Sequence, residues 1–390
     1  MPITHKTRFF TSAMANAPVM TTGAGGIIAV LDGCLLNGFN TKTLSSLSVT
    51  SGVATATVSG GHGYSQYVII EISGSSISAL NGTHRVATVP DSTTFTFEAT
   101  GVANGTATGT ITAIVATPTG WTKAFSGTNK AAYKSTTSAS GFYFRIDDSV
   151  AYSAQIPVRG YESMSDIDTG SGAFPTTGQQ ANYNWCRSFD ATGGRLWALV
   201  ADDSFFYLFI RLNNEDTANA CLSFGDIFAF DSSDAFGCVM SGSPAFSNAN
   251  IAGYLLISGN PASGGSLYNG LYISRPYNAA SAGASSCYIN SMMSDATVLS
   301  ARSTYLAANN SVAGGHLLFR GGVITDTGAT KQVRGMLPEF YTSLVRPDSI
   351  IPNNHSVQII DGKLFLASRV WNGASNAQDG FIALSLDGWR

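Results

Sequence analysis

A glycosidase in this chain would have to draw on five glutamates, Glu71, Glu98, Glu162, Glu215 and Glu339. Such an enzyme needs two carboxylates roughly 5–10 Å apart in a cleft, one of them with a raised pKa. None of the five stands in a recognisable catalytic phrase. Glu71 falls within a strand pattern, where the solvent face is the plain reading, and Asp147-Asp148 and Asp202-Asp203 read as turn residues. Ser165-Asp166-Ile167-Asp168-Thr169-Gly170 has the alternating oxygens of a calcium loop but lacks the glutamate an EF-hand requires. A turn closed by Asx hydrogen bonds is expected there. Asp231-Ser232-Ser233-Asp234 is a weaker version of the same pattern.

Other chemistries fare no better. His5, His62, His84, His316 and His355 show no HxH or HExxH spacing, although His62 and His84 share one strand-rich stretch. There is no GxSxG elbow; Ser241-Gly242-Ser243 and Ser258-Gly259 read as turns. Cys34, Cys186, Cys221, Cys238 and Cys287 are odd in number and widely spaced, without a CxxC pair. Buried free thiols are expected. The entry Thr22-Gly23-Ala24-Gly25-Gly26 lacks the Lys-Ser/Thr of a phosphate-binding loop, so it reads as the start of a helix. Tyr183-Asn184-Trp185, Tyr268, Tyr272 and Tyr277 could stack on sugars; ordinary protein contacts are the favoured reading. The expectation is a chain without catalytic, cofactor-binding or metal-ligating residues.

The elements that would position these groups are mostly strands. Between residues 47 and 116 short alternating runs are punctuated by turn residues. Val53, Thr55 and Thr57 alternate with Ala54, Ala56 and Val58, Val68 and Ile70 with Ile69 and Glu71, and Phe95 and Phe97 flank Thr96. Period-2 spacing of β-branched and aromatic residues marks half-buried strands, here enough for a small sandwich or barrel. Asn81-Gly82 supplies a pair that tolerates positive φ. Residues 25–39 hold the best helix candidate, with Ile27, Ile28, Leu31 and Leu35 on one face and Gly38 as its C-cap.

From residue 141 strands dominate again, at 142–146, 156–164, 195–202, 205–212, 226–231, 253–258, 270–275, 316–321, 356–360, 363–369 and 380–386. Asp202-Asp203-Ser204 and Asp361-Gly362 join neighbours, and 277–305 reads as a long loop. The fold expected is all-β with one short N-terminal helix. Its parts are a segment 1–44, a small β-sandwich module 45–117 and a larger β-rich domain 118–390.

Composition narrows the function. Charged residues make up 12% of 390, against roughly 25% in an average soluble protein, while 44% are hydrophobic. This argues against disorder and suits a surface largely covered by neighbours in an assembly. The net charge of −3, with no basic run, disfavours nucleic acid as a partner. No apolar run reaches the roughly 18 residues of a membrane span, and the N-terminus lacks an apolar core of signal-peptide length. A soluble protein made in the cytoplasm is expected, leaving it by some other route, of which cell lysis is one.

The module's order of pieces resembles a β-module recurrent in virion proteins of tailed bacteriophages. The pieces are Gly52-Val53-Ala54-Thr55-Ala56-Thr57, His62-Gly63-Tyr64, Val68-Ile69-Ile70, Ser73-Gly74, Leu80-Asn81-Gly82 and Thr93-Thr94-Phe95-Thr96-Phe97. Further phrases extend the resemblance over most of the chain. These are Trp121-Thr122-Lys123-Ala124-Phe125-Ser126-Gly127-Thr128-Asn129, Arg159-Gly160-Tyr161-Glu162, Gly225-Asp226, Tyr272-Ile273-Ser274-Arg275 and Arg334-Gly335-Met336-Leu337-Pro338. The resemblance implies a structural virion protein of the tail or baseplate, localised in the virion. It would have other virion proteins as partners and form a homo-oligomer in a ring or spike. The alternatives are a receptor-binding tail protein recognising host glycans and a tail-associated wall- or capsule-degrading hydrolase.

Overall fold

A computed structural model of the protein describes residues 5–150, 155–187, 193–211, 219–242, 271–277, 285–290, 318–320, 322–326, 332–343, 355–360, 362–371 and 379–389. The fold is all-β. The described strands form one ten-stranded, one eight-stranded and two five-stranded sheets, with two two-stranded ribbons. The expected segment 253–258 lies outside the described residues.

In the eight-stranded sheet the alternation seen in the sequence becomes an inside and an outside. Its order is Phe39–Thr43, Thr112–Val115, Ile69–Ser73, Gly82–Thr88, Thr94–Glu98, Val53–Thr57, Ser46–Thr50 and Gly105–Thr106. Leu47, Val49, Ala54, Ala56, Ile70, Ile72, Val86, Phe95 and Phe97 are buried, while Val53 and Glu71 face solvent. Asn81-Gly82 is not a two-residue hairpin turn. Only Gly82 has positive φ, and the Asn81 amide instead holds the Ser75 backbone through Oδ1 (2.9 Å) and Nδ2 (3.0 Å). The tight hairpin is at Ser51 (φ 51°) and Gly52 (φ 76°), both left-handed as a type I′ turn demands.

The helix is real but mixed. Gly26–Leu31 is α-helical and Asp32–Asn37 continues as a π-helix. The buried stripe is Ile27, Val30, Leu31, Cys34 and Leu35, and Ile28 at its flank is only half-buried. Gly38 ends it at φ 67°, where a Cβ would stand 2.5 Å from the Val115 carbonyl oxygen. No local side chain caps its start. Asp148 does so from across the chain, accepting the Gly25 N–H on its carbonyl (2.8 Å) and the Ile27 N–H on Oδ2 (2.8 Å).

The rest of the chain is layered. The ten-stranded sheet contains Arg8–Thr11, Trp197–Ala201, Phe205–Ile210 and Ala220–Asp226 as neighbours. Every residue of the last three strands is buried. On one face Phe206 and Phe224 meet Trp121, Phe144 and Trp185 of the sheet built from Trp121–Gly127, Lys130–Ser135, Tyr143–Asp147, Ile156–Tyr161 and Asn184–Trp185. On the other face Phe205 and Tyr207 meet Trp389, and Tyr207 meets Phe340. A strand covered on both faces has no polar side to show, which explains the unbroken apolar run Phe205–Ile210.

Several expectations at 118–390 are corrected. The expected strand 226–231 shrinks to Phe228–Ala229, because Asp226 ends the preceding strand Ala220–Asp226. The stretch 277–305 is not simply a loop: Ser285–Asn290 is a strand paired to Leu271–Ile273 and Val323–Asp326. Within the segment 1–44, Arg8–Thr11 pairs with Trp197–Ala201, and Thr7 Oγ1 accepts the Trp389 N–H at 2.9 Å.

Candidate functional site

A cluster of buried charge is assembled from two paired strands and a loop about a hundred positions earlier in the chain. Strand Val333–Met336 carries Arg334, strand Val323–Asp326 carries Asp326, and the loop after Phe228–Ala229 carries Asp231 and Asp234. The Arg334 side chain is 0% exposed. Its Nε and Nη2 donate to the two oxygens of Asp234 at 2.7 and 2.8 Å. Its Nη1 donates to Asp326 Oδ2 (3.1 Å) and to the Arg275 carbonyl (2.7 Å), and Nη2 also reaches the Phe236 carbonyl. All five guanidinium N–H groups thus find acceptors, which is the condition for burying this charge without a large penalty.

The cluster spreads outward from there. Asp326 Oδ2 also accepts the Tyr277 N–H, and the Tyr277 hydroxyl donates to Asp231 at 2.6 Å. Hydrogen bonds from Tyr277 and Ser233 hold the Asp231 carboxyl down at about 2. Arg275 forks onto Glu162, Nε and Nη2 each 2.5 Å from a carboxylate oxygen, and lies 4.5 Å from the centre of the Phe236 ring. Chemically this arrangement clamps: each carboxylate accepts bonds that draw distant strands together.

A second buried pair lies under the helix. Arg187 Nη1 donates to Asp148 Oδ1, and neither side chain is exposed. Burial pushes the Asp148 carboxyl up to about 6, with Arg187 opposing. Nearby, Tyr133 donates to Asp32 at 2.7 Å and Lys123 Nζ lies 2.5 Å from the same carboxylate.

The residues singled out in the sequence are scattered through this framework. Glu162 joins the network; Glu71 and Glu98 lie exposed on the module, and Glu339 accepts the Tyr341 hydroxyl. Asp147 and Asp148 are not a plain turn, since Asp147 ends a strand and Asp148 is fully buried beneath the helix. Asp202 does close a turn, Oδ1 accepting the N–H groups of Ser204 and Phe205. At Asp166 the Asx turn forms as expected, with the Asp168 N–H on Oδ1 at 2.8 Å. His62 packs on Phe95 and Tyr64, and His84 packs on Phe97 at 4.3 Å. No group of three or more His, Cys, Asp or Glu among the described residues could hold a metal ion.

The aromatic residues read as a possible sugar platform are mostly interior. Tyr183 is 1%, Trp185 0% and Tyr272 4% exposed. The Tyr183 hydroxyl and the Trp185 Nε1 donate to the carbonyls of Met240 and Ser241, so each ring is sealed between sheets with its polar atom satisfied. Asn184 is buried beside them, and Tyr277 belongs to the charge network. Glu215, Tyr268, Ser258-Gly259 and His316 lie outside the described residues. Sequence reading noticed the phrases holding Glu162, Arg275 and Arg334 but not their meeting. Asp234 was noticed only within a weak ion-loop pattern, and Asp326 and Arg187 carried no signal of their own; the partner of Asp234 stands 100 positions away and that of Arg187 39.

The fold and site thus define an all-β layered protein clamped by buried ion pairs. No protein-family model matches the chain, and no curated protein matches it. Among solved structures, the Phage phi92 endosialidase aligns with 90% of this chain and 52% of its own at 11% identity and a TM-score of 0.18. The chain spans about half the length of that structure. Among the described residues no helix is long and apolar enough to cross a membrane.

Proposed function

We propose that the protein is a non-enzymatic structural component of a tailed-phage particle, in the tail or baseplate, acting by self-assembly and contacts with other virion proteins. The employment of its carboxylates carries this reading. Glu162, Asp148, Asp234 and Asp326 each accept bonds from distant parts of the same chain, Asp326 from the Tyr277 N–H. A hydrolase needs a carboxyl group that can exchange its proton with a substrate, whereas these are held as acceptors within a framework. The phrases that resemble virion proteins supply Glu162, Arg275 and Arg334, so the resemblance coincides with the clamps.

In this reading the larger domain 118–390 forms subunit contacts, while 1–44 and the module 45–117 attach to neighbours. Copies close into a ring or spike because one heterologous interface repeated under rotation closes on itself. Assembly takes place in the host cytoplasm and the mature location is the virion. Mass spectrometry on gradient-purified particles tests the proposal. The chain is expected in intact particles at multiple copies each; its absence from them would overturn the assignment.

A further inference from the structure

The outer face of the five-stranded sheet collects cations and half-exposed rings that the buried network does not use. Register sets Lys134 opposite Tyr143 and Tyr143 opposite Tyr161. In the next row Phe125 lies opposite Ala132, Ala132 opposite Arg145 and Arg145 opposite Arg159. Directly opposed residues share a face, so these side chains make one surface. Phe125 and Tyr143 are stacked with ring centres 6.1 Å apart, and Lys134 Nζ lies 4.7 Å from the centre of Tyr143.

A hairpin formed by Ser163–Met164 and Gly170–Ser171 leans over this surface. Its turn brings Asp168 Oδ1 to 2.9 Å from Lys130 Nζ and 2.6 Å from Arg145 Nη2. Arg145 is aimed by its own Nε bond to the Ile167 carbonyl (2.7 Å). Two cations on the sheet therefore converge on one carboxylate oxygen delivered by an exposed turn. The Asp168 side chain is 56% exposed, against 14% for Arg145 and 28% for Lys130. Solvent screens an ion pair most where it is most exposed, so the tethered carboxylate is the member held least firmly.

We propose that this face binds an acidic saccharide, whose carboxylate takes the place of Asp168 between Lys130 and Arg145 while its ring lies against Phe125 and Tyr143. Asp147 stays 3.5 Å from both cations. With Asp168 swung out, Lys130 and Arg145 keep only Asp147 as a countercharge, and Lys134 and Arg159 add cations to the same face, an excess of positive charge suited to a carboxylate. The rings favour a saccharide over an acidic peptide, since the C–H face of a pyranose meets the electron-rich face of an aromatic ring. The inference does not depend on the virion reading.

Calorimetric titration of the full chain with trigalacturonate tests it, with maltotriose and a hexaglutamate peptide as comparisons. Trigalacturonate is expected to bind, and the two comparison ligands to bind at least about tenfold more weakly. Asp168→Asn removes the tethered competitor and is expected to tighten binding about 2- to 5-fold, the equivalent of one exposed ion pair. Because Asp166, not Asp168, supplies the oxygen that closes the turn, this variant keeps the local fold. Lys130→Gln and Tyr143→Ala are expected to weaken binding about tenfold or more, with melting curves confirming folded protein. No binding by either the parent or Asp168→Asn overturns the proposal. So does equal affinity for maltotriose, preference for hexaglutamate, or weaker binding by Asp168→Asn.

Discussion

The module and the layered body solve burial in different ways. In the module, strands such as Val53–Thr57 and Thr94–Glu98 turn one side inward and keep threonines or a glutamate outside. In the body, Phe205–Ile210 is buried on both sides, Phe206 against one sheet and Phe205 and Tyr207 against the opposite layer. One region gives every second residue to the solvent side; the central strands of the other have no solvent side, and Arg334 and Arg187 are held there as buried pairs. The comparison teaches that polar residues in the body are structural in proportion to how deeply they are placed.

The sharpest way to break this contrast is Arg334→Met. The change keeps much of the side-chain volume but leaves Asp234 and Asp326 buried without their cation. Stability is expected to fall by about 3–5 kcal/mol, read by denaturant unfolding. Arg334→Lys is expected to rescue little, because a lysine offers three donors where five are in use. A loss under about 1 kcal/mol would mean the network is solvated and the contrast with the module is false.

Truncating rings tests the two-faced strand itself. Phe205→Ala and Phe206→Ala point to opposite layers yet are both expected to cost about 3–5 kcal/mol. In the module, Thr55→Lys on the outer side of Val53–Thr57 is expected to stay within about 0.5 kcal/mol. Melting temperatures of the three variants check this. A mild effect at either phenylalanine would remove one of the layers.

A smaller effect appears with pH. Burial holds His5 and His84 at about 4 and His355 at about 3, so the folded protein keeps them neutral. In the unfolded chain they titrate near the ordinary 6.5. Below 6.5 the unfolded state therefore binds protons that the folded state refuses, and stability present above 6.5 is lost progressively towards 4. For His84, which is 2% exposed, the loss is about 2 kcal/mol by pH 5. Asp148 acts in the opposite sense: raised to about 6, it lets the folded protein take a proton first, so acid stabilises through it. With three histidines against one carboxyl, the melting temperature is expected to fall between pH 6.5 and 4.5. His84→Gln is expected to flatten that slope through the module, leaving the contribution of His5 and His355 in the body. A melting temperature constant over this range would contradict the burial of the imidazoles.

What the sequence by itself determined is what depends on neighbours a few positions apart. Alternation over 47–116 specified the buried side of the module strands, because a strand has period 2 whatever it packs on. The Asp202 and Asp166 turns were legible because their acceptors serve N–H groups two or three residues on. The helix at Gly26 was visible from its apolar spacing, although not the π-turn that continues it.

Only the tertiary structure decided the rest. The cap of that helix is Asp148, 121 positions from Ile27, and Arg334 meets Asp234 across 100. Tyr183, Trp185 and Tyr272 look in sequence like exposed recognition residues. They are interior because sheets from elsewhere in the chain close over them and supply carbonyls to Tyr183 and Trp185. Spacing along a chain records the geometry of a single strand or turn. It carries no record of which second surface will cover that strand, and burial, partner and protonation all follow from that second surface.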